Sequence, residues 1–492
     1  MSKLKFIILS EFAELLDLAM HLKFMEEHDV LMHVSNHDYA KIGDGIIEKV
    51  KNWFDCLGKG YIWIIDGNEA GRLQDWLRSK GEIVFGGSEQ GDRLENQRTL
   101  GQQLFKAAGF NQVISKNFKS IEEALRFIHK NVSKKWILKQ NGSAPKSINH
   151  KAHFNDNSDL ILHLEGLKKK WNETDYGKFD CDLMEVVEGM EVAASVFFNG
   201  KNYMKNKDGK VVGFLNWEHK KEVDGDQGEV TGEMGTLFFG TTEDNPLFRE
   251  IIMRPKIIEA LRATKFRGVF DINCIKTKDG IVALEPTLRF GIPSTSYEFL
   301  VAMDNCGETI KLIAEGKDDP ISIKKGFGMV VVVVGKPFPV EADIDEIATS
   351  LGEKLWLIEN NKPVSELTKD QRQRVHLQNF YKDEEGNYRV ATKHGYLLTV
   401  TGKGETISGV REDILKYIKE NIYISGMKYR TDIGKRVEGH GISSDQKIKK
   451  EYEDKIESIK KDHETELEKI KEEKEQSLTK VKKTIKDIIY GN

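Results

Sequence analysis

The chain has few cysteines and no long apolar run, and these absences exclude several classes of protein. Its four cysteines, among 492 residues, are scattered without Cys-x-x-Cys spacing. This argues against a disulfide framework or a zinc site and favours a reducing compartment. No segment reaches the apolar length of a membrane span, and the N-terminus lacks the cleavage site of a signal peptide. We therefore expect a soluble, cytoplasmic protein.

The chain also lacks a dominant charge and the short motifs of several enzyme classes. A net charge of −4, with both signs mixed along the sequence, gives no global case for binding nucleic acid or an anionic membrane. There is no nucleophile elbow, no Walker loop and no His-Glu-x-x-His motif. The length is sufficient for about two to four domains. Small molecules are the expected partners.

Four segments follow one another along the chain. Residues 1–88 alternate short apolar strands with helix-like runs, which predicts a parallel α/β sheet. Residues 89–324 are mixed α and β, and residues 325–437 form a further mixed α/β domain that opens with an apolar strand. A sharp change in composition then predicts one long charged helix over residues 443–490. The predicted fold class is α/β.

The C-terminal segment carries a regular apolar pattern. Residues 445–487 are dominated by Lys and Glu and contain no Gly or Pro. The apolar anchors follow an eleven-residue repeat, typical of a nearly straight or slightly right-handed coiled coil: Ile456, Ile459, Leu467, Ile470, Leu478, Val481 and Ile485. Self-association through 445–490, or docking on a partner, is the first interpretation. The second is a solitary solvated helix, because His463 and Lys474 interrupt the seam.

Residues 268–291 predict a β-hairpin with ligand-type side chains. A three-residue loop, Lys278–Gly280, would place Asn273 opposite Glu285. The next pair along the hairpin, Asp271 opposite Thr287, would then lie on the same face. Such a patch of oxygen ligands, beside the cation Arg289, suits Mg²⁺ with a bound polyphosphate. A solvated hairpin with polar outer positions is the alternative.

Three motifs then occur in a recognisable order. They are Trp217–Gly235 (Trp-Glu-His-Lys, an acidic turn, then Thr-Gly-Glu-Met-Gly), Leu284–Pro293 (Leu-Glu-Pro-Thr-Leu-Arg-Phe-Gly-Ile-Pro) and Tyr429–Arg436 (Tyr-Arg-Thr-Asp-Ile-Gly-Lys-Arg). Together they resemble phosphoribosylamine–glycine ligase, an ATP-grasp enzyme of purine synthesis. The resemblance covers most of residues 60–437. It implies an ATP-grasp fold with a pre-ATP-grasp domain before it.

The resemblance also implies a nucleotide site. Arg98 and Lys139 would contact the phosphates of ATP, because each places a cation where the family has a phosphate-binding lysine. Backbone groups around Glu185 and Val187 would recognise the adenine. Glu191 would accept hydrogen bonds from the ribose hydroxyls.

The same resemblance implies a metal site and two catalytic cations. Glu285 matches a ligand of Mg²⁺ or Mn²⁺, and Thr287 stands where the family has an asparagine ligand. Because a hydroxyl is the weaker ligand, Asn273 or Asp271 from the facing strand would compensate. Arg289 would stabilise the transferring phosphoryl group, and Lys220 is a second candidate for that charge.

Two segments depart from the family pattern. Gly142–Ser147 replaces a Gly-rich phosphate lid, and Lys146 is its remaining cation. The N-terminal glycine-rich turn that helps the family hold phosphoribosylamine is replaced by Ser10–Leu16. Carboxylates of that segment, Glu11 among them, would repel a substrate phosphate. Nucleotide-binding residues are thus better preserved than substrate-binding residues.

The sequence therefore predicts an ATP-dependent carboxylate–amine ligase that works through an acyl phosphate. Its substrates would be an amino acid and an amine, as in phosphoribosylamine–glycine ligase. One alternative is the same chemistry on a different amine acceptor, which the altered substrate motifs favour. The other is a non-catalytic ATP-grasp scaffold whose C-terminal helix forms oligomers.

Overall fold

In the computed structural model, the alternating apolar segments of the N-terminal region form a five-stranded parallel sheet of order β3-β2-β1-β4-β5. The strands are β1 (Lys5–Ser10), β2 (Asp29–Val34), β3 (Glu48–Lys49), β4 (Ile62–Ile65) and β5 (Ile83–Phe85), with helices α1 (Leu16–Phe24) and α2 (Gly71–Ser79). Their apolar residues are buried on both faces, as expected for parallel strands covered by helices. The predicted parallel sheet is confirmed. Strand order reverses between β1 and β4, so the carboxyl ends of these strands flank a crevice.

A four-stranded sheet of order β6-β9-β7-β8 follows. Its strands are β6 (Ser115–Phe118), β7 (Trp136–Gln140), β8 (His150–Lys151) and β9 (Cys181–Glu185), accompanied by helices α3 (Glu89–Asn96), α4 (Arg98–Ala107), α5 (Ile121–Lys130) and α6 (Ser158–Lys170). Trp136 and Leu138 of β7 share a buried core with Ala124 of α5 and Leu160 of α6. This core fixes β7 and β9, which carry predicted nucleotide-binding residues.

An eight-stranded antiparallel sheet forms the centre, in the order β16-β15-β10-β11-β14-β17-β23-β20. Its strands in this part of the chain are β10 (Met190–Phe198), β11 (Val212–Glu218), β14 (Gly235–Thr242), β15 (Gly268–Thr277), β16 (Gly280–Thr287) and β17 (Phe327–Val334), with the helices α7 (Pro246–Ile252), α8 (Pro255–Thr264) and α9 (Cys306–Glu315). The strands β12 (Lys221–Val223) and β13 (Gln227–Val230) form a separate two-stranded ribbon. Every residue of β17 is buried, which explains its uninterrupted run of valines.

The last elements continue this sheet and add two small ones. They are β18 (Trp356–Glu359), β19 (Lys362–Val364), α10 (Lys369–Arg372), β20 (Val375–Leu377), β21 (Phe380–Lys382), β22 (Tyr388–Val390), β23 (Tyr396–Gly404), α11 (Ile407–Asn421), β24 (Ile422–Tyr423) and α12 (Lys435–Glu438), and short 3-10 helices span His37–Tyr39, Trp53–Cys56 and Glu346–Ala348. The predicted boundary near residue 324 thus lies between strands of one continuous sheet. The division into domains stays a prediction.

The structure describes residues 3–67, 69–140, 148–171, 178–291, 293, 299–339 and 345–438. The described residues all belong to one compact unit, which ends at residue 438. The predicted coiled-coil helix of residues 443–490 lies outside the described residues. Among those described, none of the helices combines the length and apolar character needed to cross a bilayer.

The hairpin β15–β16 has the predicted pairing at its ligand end but not the predicted loop. Asn273 lies opposite Glu285, and Asp271 lies opposite Thr287. At the tip, however, Thr277 pairs with Gly280, so the loop has two residues rather than three. A β-bulge at Leu284 inserts the extra residue that restores the register further along. The three-residue loop was wrong, and the bulge is the reason that the ligand pairing is nevertheless correct.

Candidate functional site

One face of the central sheet carries polar side chains where a sheet interior normally carries apolar ones. Glu285, Asn273, Ala193 and Asn216 occupy successive positions across β16, β15, β10 and β11. Residues directly opposite each other share a face, and residues two apart along a strand share it too. Asp271, Thr287 and Glu218 therefore join this face. The structure brings the three predicted metal ligands together with Asp271, as predicted for this face, and adds the carboxylate of Glu218.

Asp271 shows the chemical character of this face. It is 4% exposed, and its only hydrogen-bond partner among the described residues is the Asn216 amide, which donates to Oδ2 at 3.4 Å. Its Oδ1 is buried without a partner. Burial, together with the charges of Glu218 and Glu285, raises the pKa of Asp271 to about 7. Carboxylates that face one another around an unpaired buried oxygen fit a divalent cation.

Cations approach the same carboxylates from the four-stranded sheet. Lys139 of β7 is partly buried, and burial and the positive charges of Arg98 and Lys220 lower its pKa, while Glu285 and Glu191 oppose this shift. These five predicted site residues are therefore near enough to interact electrostatically. Arg98 is the first residue of α4, and one of its N–H groups donates to Sδ of Met184 in β9 at 2.6 Å. This contact fixes the guanidinium at the edge of the small sheet.

Lys220 lies directly before β12, two residues after the end of β11, and forms an ion pair with Glu218, with Nζ 2.9 Å from Oε2. Burial lowers the pKa of Lys220, but Glu218 and Glu285 outweigh that effect and raise it well above its ordinary value. Lys220 therefore carries a positive charge at neutral pH. Its charge lies beside the carboxylates of the polar face.

Arg289 is held by a residue that the sequence did not indicate. Its Nε and one terminal nitrogen each lie 2.9 Å from Oε1 of Glu95 in α3, and the other terminal nitrogen donates to the Phe290 carbonyl at 2.9 Å. The Leu288 N–H donates to the second oxygen of Glu95 at 3.1 Å. These three contacts, with Glu95 and with the Phe290 carbonyl, fix the guanidinium plane, which suits recognition of a planar or multiply charged anion.

The predicted adenine segment lies at the end of β9. Lys134 donates to both carboxylate oxygens of Glu185 at 2.8 Å, and the Glu185 N–H donates to Ile114. Within the described part of the chain, the Val187 N–H donates no hydrogen bond. That group is available to a ligand. Lys146 lies outside the described residues.

The Tyr429–Arg436 motif clamps the loop that carries Lys220. Arg430 is 2% exposed, and it donates to the Lys221 carbonyl and to Asp226, each at 2.9 Å. It also pairs with Asp432 at 2.8 Å, and Asp432 accepts the Gly225 N–H at 2.7 Å. The acidic turn is thus occupied by protein donors.

Further bonds close this contact. The Thr431 N–H and hydroxyl donate to the two oxygens of Asp224, and Arg436 donates to the Glu218 carbonyl. The Gly434 N–H donates to Nε2 of His219 at 3.1 Å. Burial, with nearby arginines, lowers the pKa of His219 to about 4, so its ring is neutral and accepts this bond. Two motifs that are far apart in sequence form one unit.

The crevice between β1 and β4 is acidic. Ser10, the last residue of β1, donates from Oγ to Asp66, which follows β4, and Oγ of Ser10 accepts the Glu14 N–H at 3.2 Å. Burial and the charge of Glu14 raise the pKa of Asp66 to about 8. Desolvation also raises the pKa of Glu14, opposed by Arg289. Arg289 therefore lies between this acidic edge and the polar face of the sheet.

Sequence reasoning missed Glu218 and Glu95 as site residues. Glu218 carried a usable signal, because Asn216 and Glu218 alternate with apolar residues on a strand that is otherwise buried. Glu95 carried no such signal, since it lies on a polar helix and its role depends on the approach of Arg289.

The clamp gives a stability prediction. We expect Arg430→Met to lower the free energy of unfolding by about 3–5 kcal/mol, because it leaves two carboxylates of a buried network without their partner. Arg72→Met is the matched control, since Arg72 is 85% exposed and pairs with Glu89 at the surface. Its cost should stay below about 1 kcal/mol. Urea denaturation of both variants measures the difference, and equal losses would contradict the clamp.

Comparison with known proteins agrees with this geometry. Residues 97–295 match the family described as phosphoribosylglycinamide synthetase, ATP-grasp (A) domain. The chain is 22% identical to the phosphoribosylamine–glycine ligase of Corynebacterium ammoniagenes, over 76% of this chain and 81% of that one. It is 23% identical to the bifunctional purine biosynthetic protein of Dictyostelium discoideum, over 77% of this chain but only 46% of that longer protein.

Solved structures show the same fold. The phosphoribosylamine–glycine ligase of Thermotoga maritima superposes with a TM-score of 0.61 at 21% identity, covering 87% of this chain and all of that one. The biotin carboxylase domain of Hydrogenobacter thermophilus 2-oxoglutarate carboxylase, solved with ADP and magnesium, has a TM-score of 0.57 at 11% identity, covering 87% of this chain and 92% of that one. The chain therefore has the ATP-grasp fold, and its sequence is similar to those of phosphoribosylamine–glycine ligases.

Proposed function

We propose that the chain joins a carboxylate to an amine with ATP and Mg²⁺ or Mn²⁺, through an acyl phosphate. The observation that carries this proposal is the convergence of three cations with three carboxylates on one polar sheet face. The cations are Arg98, Lys139 and Lys220, and the carboxylates are Asp271, Glu218 and Glu285. Such an arrangement neutralises a polyphosphate and its metal ion together.

The nucleotide would lie between the small sheet and the polar face. Arg98 and Lys139 would bind phosphate oxygens, and Lys146 would add a cation from the lid. The free N–H of Val187 and the backbone of Glu185 would recognise the adenine edge. Glu191, at the start of β10, would accept the ribose hydroxyls.

Glu285, Asn273 and Thr287 would hold the metal, with Asp271 and Glu218 beside them. When bound, the ion would neutralise the charge of the ATP phosphates and the carboxylates around the unpaired oxygen of Asp271. Thr287 stands where the resembled family has an asparagine ligand. Because Asn273 lies directly opposite Glu285, its amide oxygen can take the place of that ligand.

Arg289 and Lys220 would act on the transferring group. Glu95 keeps the Arg289 guanidinium oriented, and Arg289 is coupled electrostatically to Glu14 at the acidic edge. The carboxylate that accepts the phosphoryl group would lie near Arg289. The amine would then attack the acyl phosphate from the β1–β4 crevice. Positioning and charge neutralisation supply the catalysis, without a side-chain nucleophile.

Glu285 provides the first test of this function. We expect Glu285→Gln to reduce ADP formation by about a hundredfold or more, because it removes a metal carboxylate at the site of charge development. Asp279→Asn is the matched control, since Asp279 is an exposed carboxylate at the tip of the same hairpin. ADP release is measured with mixed amino acids and amines. Equal activity in both variants would reject the hairpin as the metal site.

The acceptor is the part in which this chain differs from its relatives. Ser10, Glu11, Glu14 and Asp66 occupy the carboxyl ends of β1 and β4. The Glu11 carboxylate at this crevice would repel a phosphorylated sugar amine, and the buried carboxyl groups of Glu14 and Asp66 offer a phosphate no positive charge. The crevice therefore favours an amine that carries no phosphate. We infer that the amine substrate is unphosphorylated.

A substrate comparison tests this inference. We expect glycine with phosphoribosylamine to give little or no ADP, while a panel of unphosphorylated amines with amino acids contains a pair that gives ADP. ADP release and product mass are measured for each pair. Robust formation of glycinamide ribonucleotide would contradict the inference. Glu285→Gln, run in parallel, separates a wrong acceptor from a wrong metal site.

The C-terminal segment supports a further proposal, that residues 445–490 join copies of the chain. Deleting the residues after Gly441 should lower the oligomer order, because the seven apolar anchors listed above would be lost. Light scattering measures the mass per particle. Nucleotide binding should persist, since all proposed ligands lie before Phe290. An unchanged mass would show that the segment does not mediate self-association.

A further inference from the structure

Outside the nucleotide site, three ligand-type side chains from distant parts of the chain meet. His21 lies in the last turn of α1, Glu26 lies in the turn after that helix, and Cys306 begins α9. One ligand atom from each lies within 4.8 Å of the others. Cys306 is fully buried, and the side chains of His21 and Glu26 are only 16% and 12% exposed. Imidazole, carboxylate and thiol together form a typical donor set for zinc.

The spacing of these atoms suits a small tetrahedral ion. Nε2 of His21 lies 3.5 Å from Oε1 of Glu26. Around a zinc ion with bonds of the usual length, neighbouring ligand atoms lie about 3.3–3.7 Å apart. An ion therefore requires little rearrangement of this pair.

A surrounding layer of hydrogen bonds orients the carboxylate. Glu26 accepts the N–H of Cys306 at 2.6 Å and that of Gly307 at 2.8 Å. Nε2 of His28 lies 3.4 Å from its Oε2. Because Nδ1 of His28 accepts the Leu4 N–H, its Nε2 carries the proton that points to Glu26. Partners of this kind position ligands in metal sites.

The backbone is shaped around this cluster. Glu27, between Glu26 and His28, has a φ of 61°, which is uncommon for a residue other than glycine. A Cβ on Gly307 would lie 2.6 Å from Nε2 of His28 and 2.9 Å from Oε2 of Glu26, so a larger residue would displace these two side chains from their present positions. A helix cap would explain the carboxylate alone. It would not require the imidazole of His21 and the thiol beside it.

We propose that His21, Glu26 and Cys306 bind one Zn²⁺ ion, with water as the fourth ligand and His28 as a positioning residue. Binding would release the thiol proton of Cys306 to solvent. The ion would connect α1 of the N-terminal sheet to α9, and it would stabilise the fold rather than take part in ligation. The absence of Cys-x-x-Cys spacing predicted that the chain has no zinc site. That spacing, however, detects only ligands that are close together in the sequence.

Cobalt substitution tests the site in the full, untagged chain, with Mg²⁺ and ATP in excess to occupy any site for hard cations. We expect one equivalent of Co²⁺ to give a thiolate-to-metal charge-transfer band that Zn²⁺ abolishes. Cys306→Ser should lose the band. Cys56→Ser is the matched control, because Cys56 is also a buried thiol but lies away from the cluster, and it should retain the band. His28→Gln should weaken metal binding by about ten- to a hundredfold.

Stability provides a second measurement. A chelator should lower the melting temperature of the wild type and of Cys56→Ser, and it should not change that of Cys306→Ser. Absence of the charge-transfer band in the wild type, or its survival in Cys306→Ser, would overturn the proposal. If Cys306→Ser does not fold, His21→Gln serves in its place, and an unchanged cobalt spectrum in that variant would likewise overturn the proposal.

Discussion

The Asp271 carboxyl group is buried beside two further carboxylates on one sheet face, and the other charged groups of the site compensate this burial. Asp271 is almost fully buried and faces Glu218 and Glu285. Carboxylates in such surroundings are costly unless positive charge compensates them. Lys220 and Lys139 supply part of that charge from two different elements. A divalent cation would supply the rest, which explains why an otherwise apolar sheet tolerates this polar face.

Charge separates two sides of the proposed site. Cations lie on the proposed nucleotide side, and carboxyl groups line the crevice at the ends of β1 and β4. Arg289 pairs with Glu95 and interacts with Glu14 at the acidic edge. Under the proposed function, phosphoryl transfer and acceptor binding would therefore rest on different elements.

The clamp between Arg430 and the acidic turn shows how a distant motif contributes to this site. Arg430 contacts no predicted ligand, yet it fixes the loop that begins with Lys220. Because the two motifs lie far apart in the sequence, neither motif alone indicates that they are in contact. The aspartates of this contact accept hydrogen bonds from protein N–H groups: Asp224 accepts one from Thr431, and Asp432 accepts one from Gly225.

Features that depend on residues close together in the chain could be predicted from the sequence alone. It predicted the parallel N-terminal sheet from its alternating segments, and it predicted the pairing of Asn273 with Glu285 within one hairpin. Such features follow from side-chain periodicity and short-range register. The loop length was wrong, because a bulge at Leu284 compensates for it without leaving a clear sequence pattern.

Contacts between residues that are far apart in the chain could be identified only from the tertiary structure. It placed β10 between β11 and β15, and thereby brought Glu218 to Asp271. It also placed Cys306 beside His21. These encounters depend on how whole elements pack, and packing is set by the combined burial of many side chains rather than by any local pattern. For that reason the family and the hairpin could be recognised from the sequence, whereas the full set of charges at the site could not.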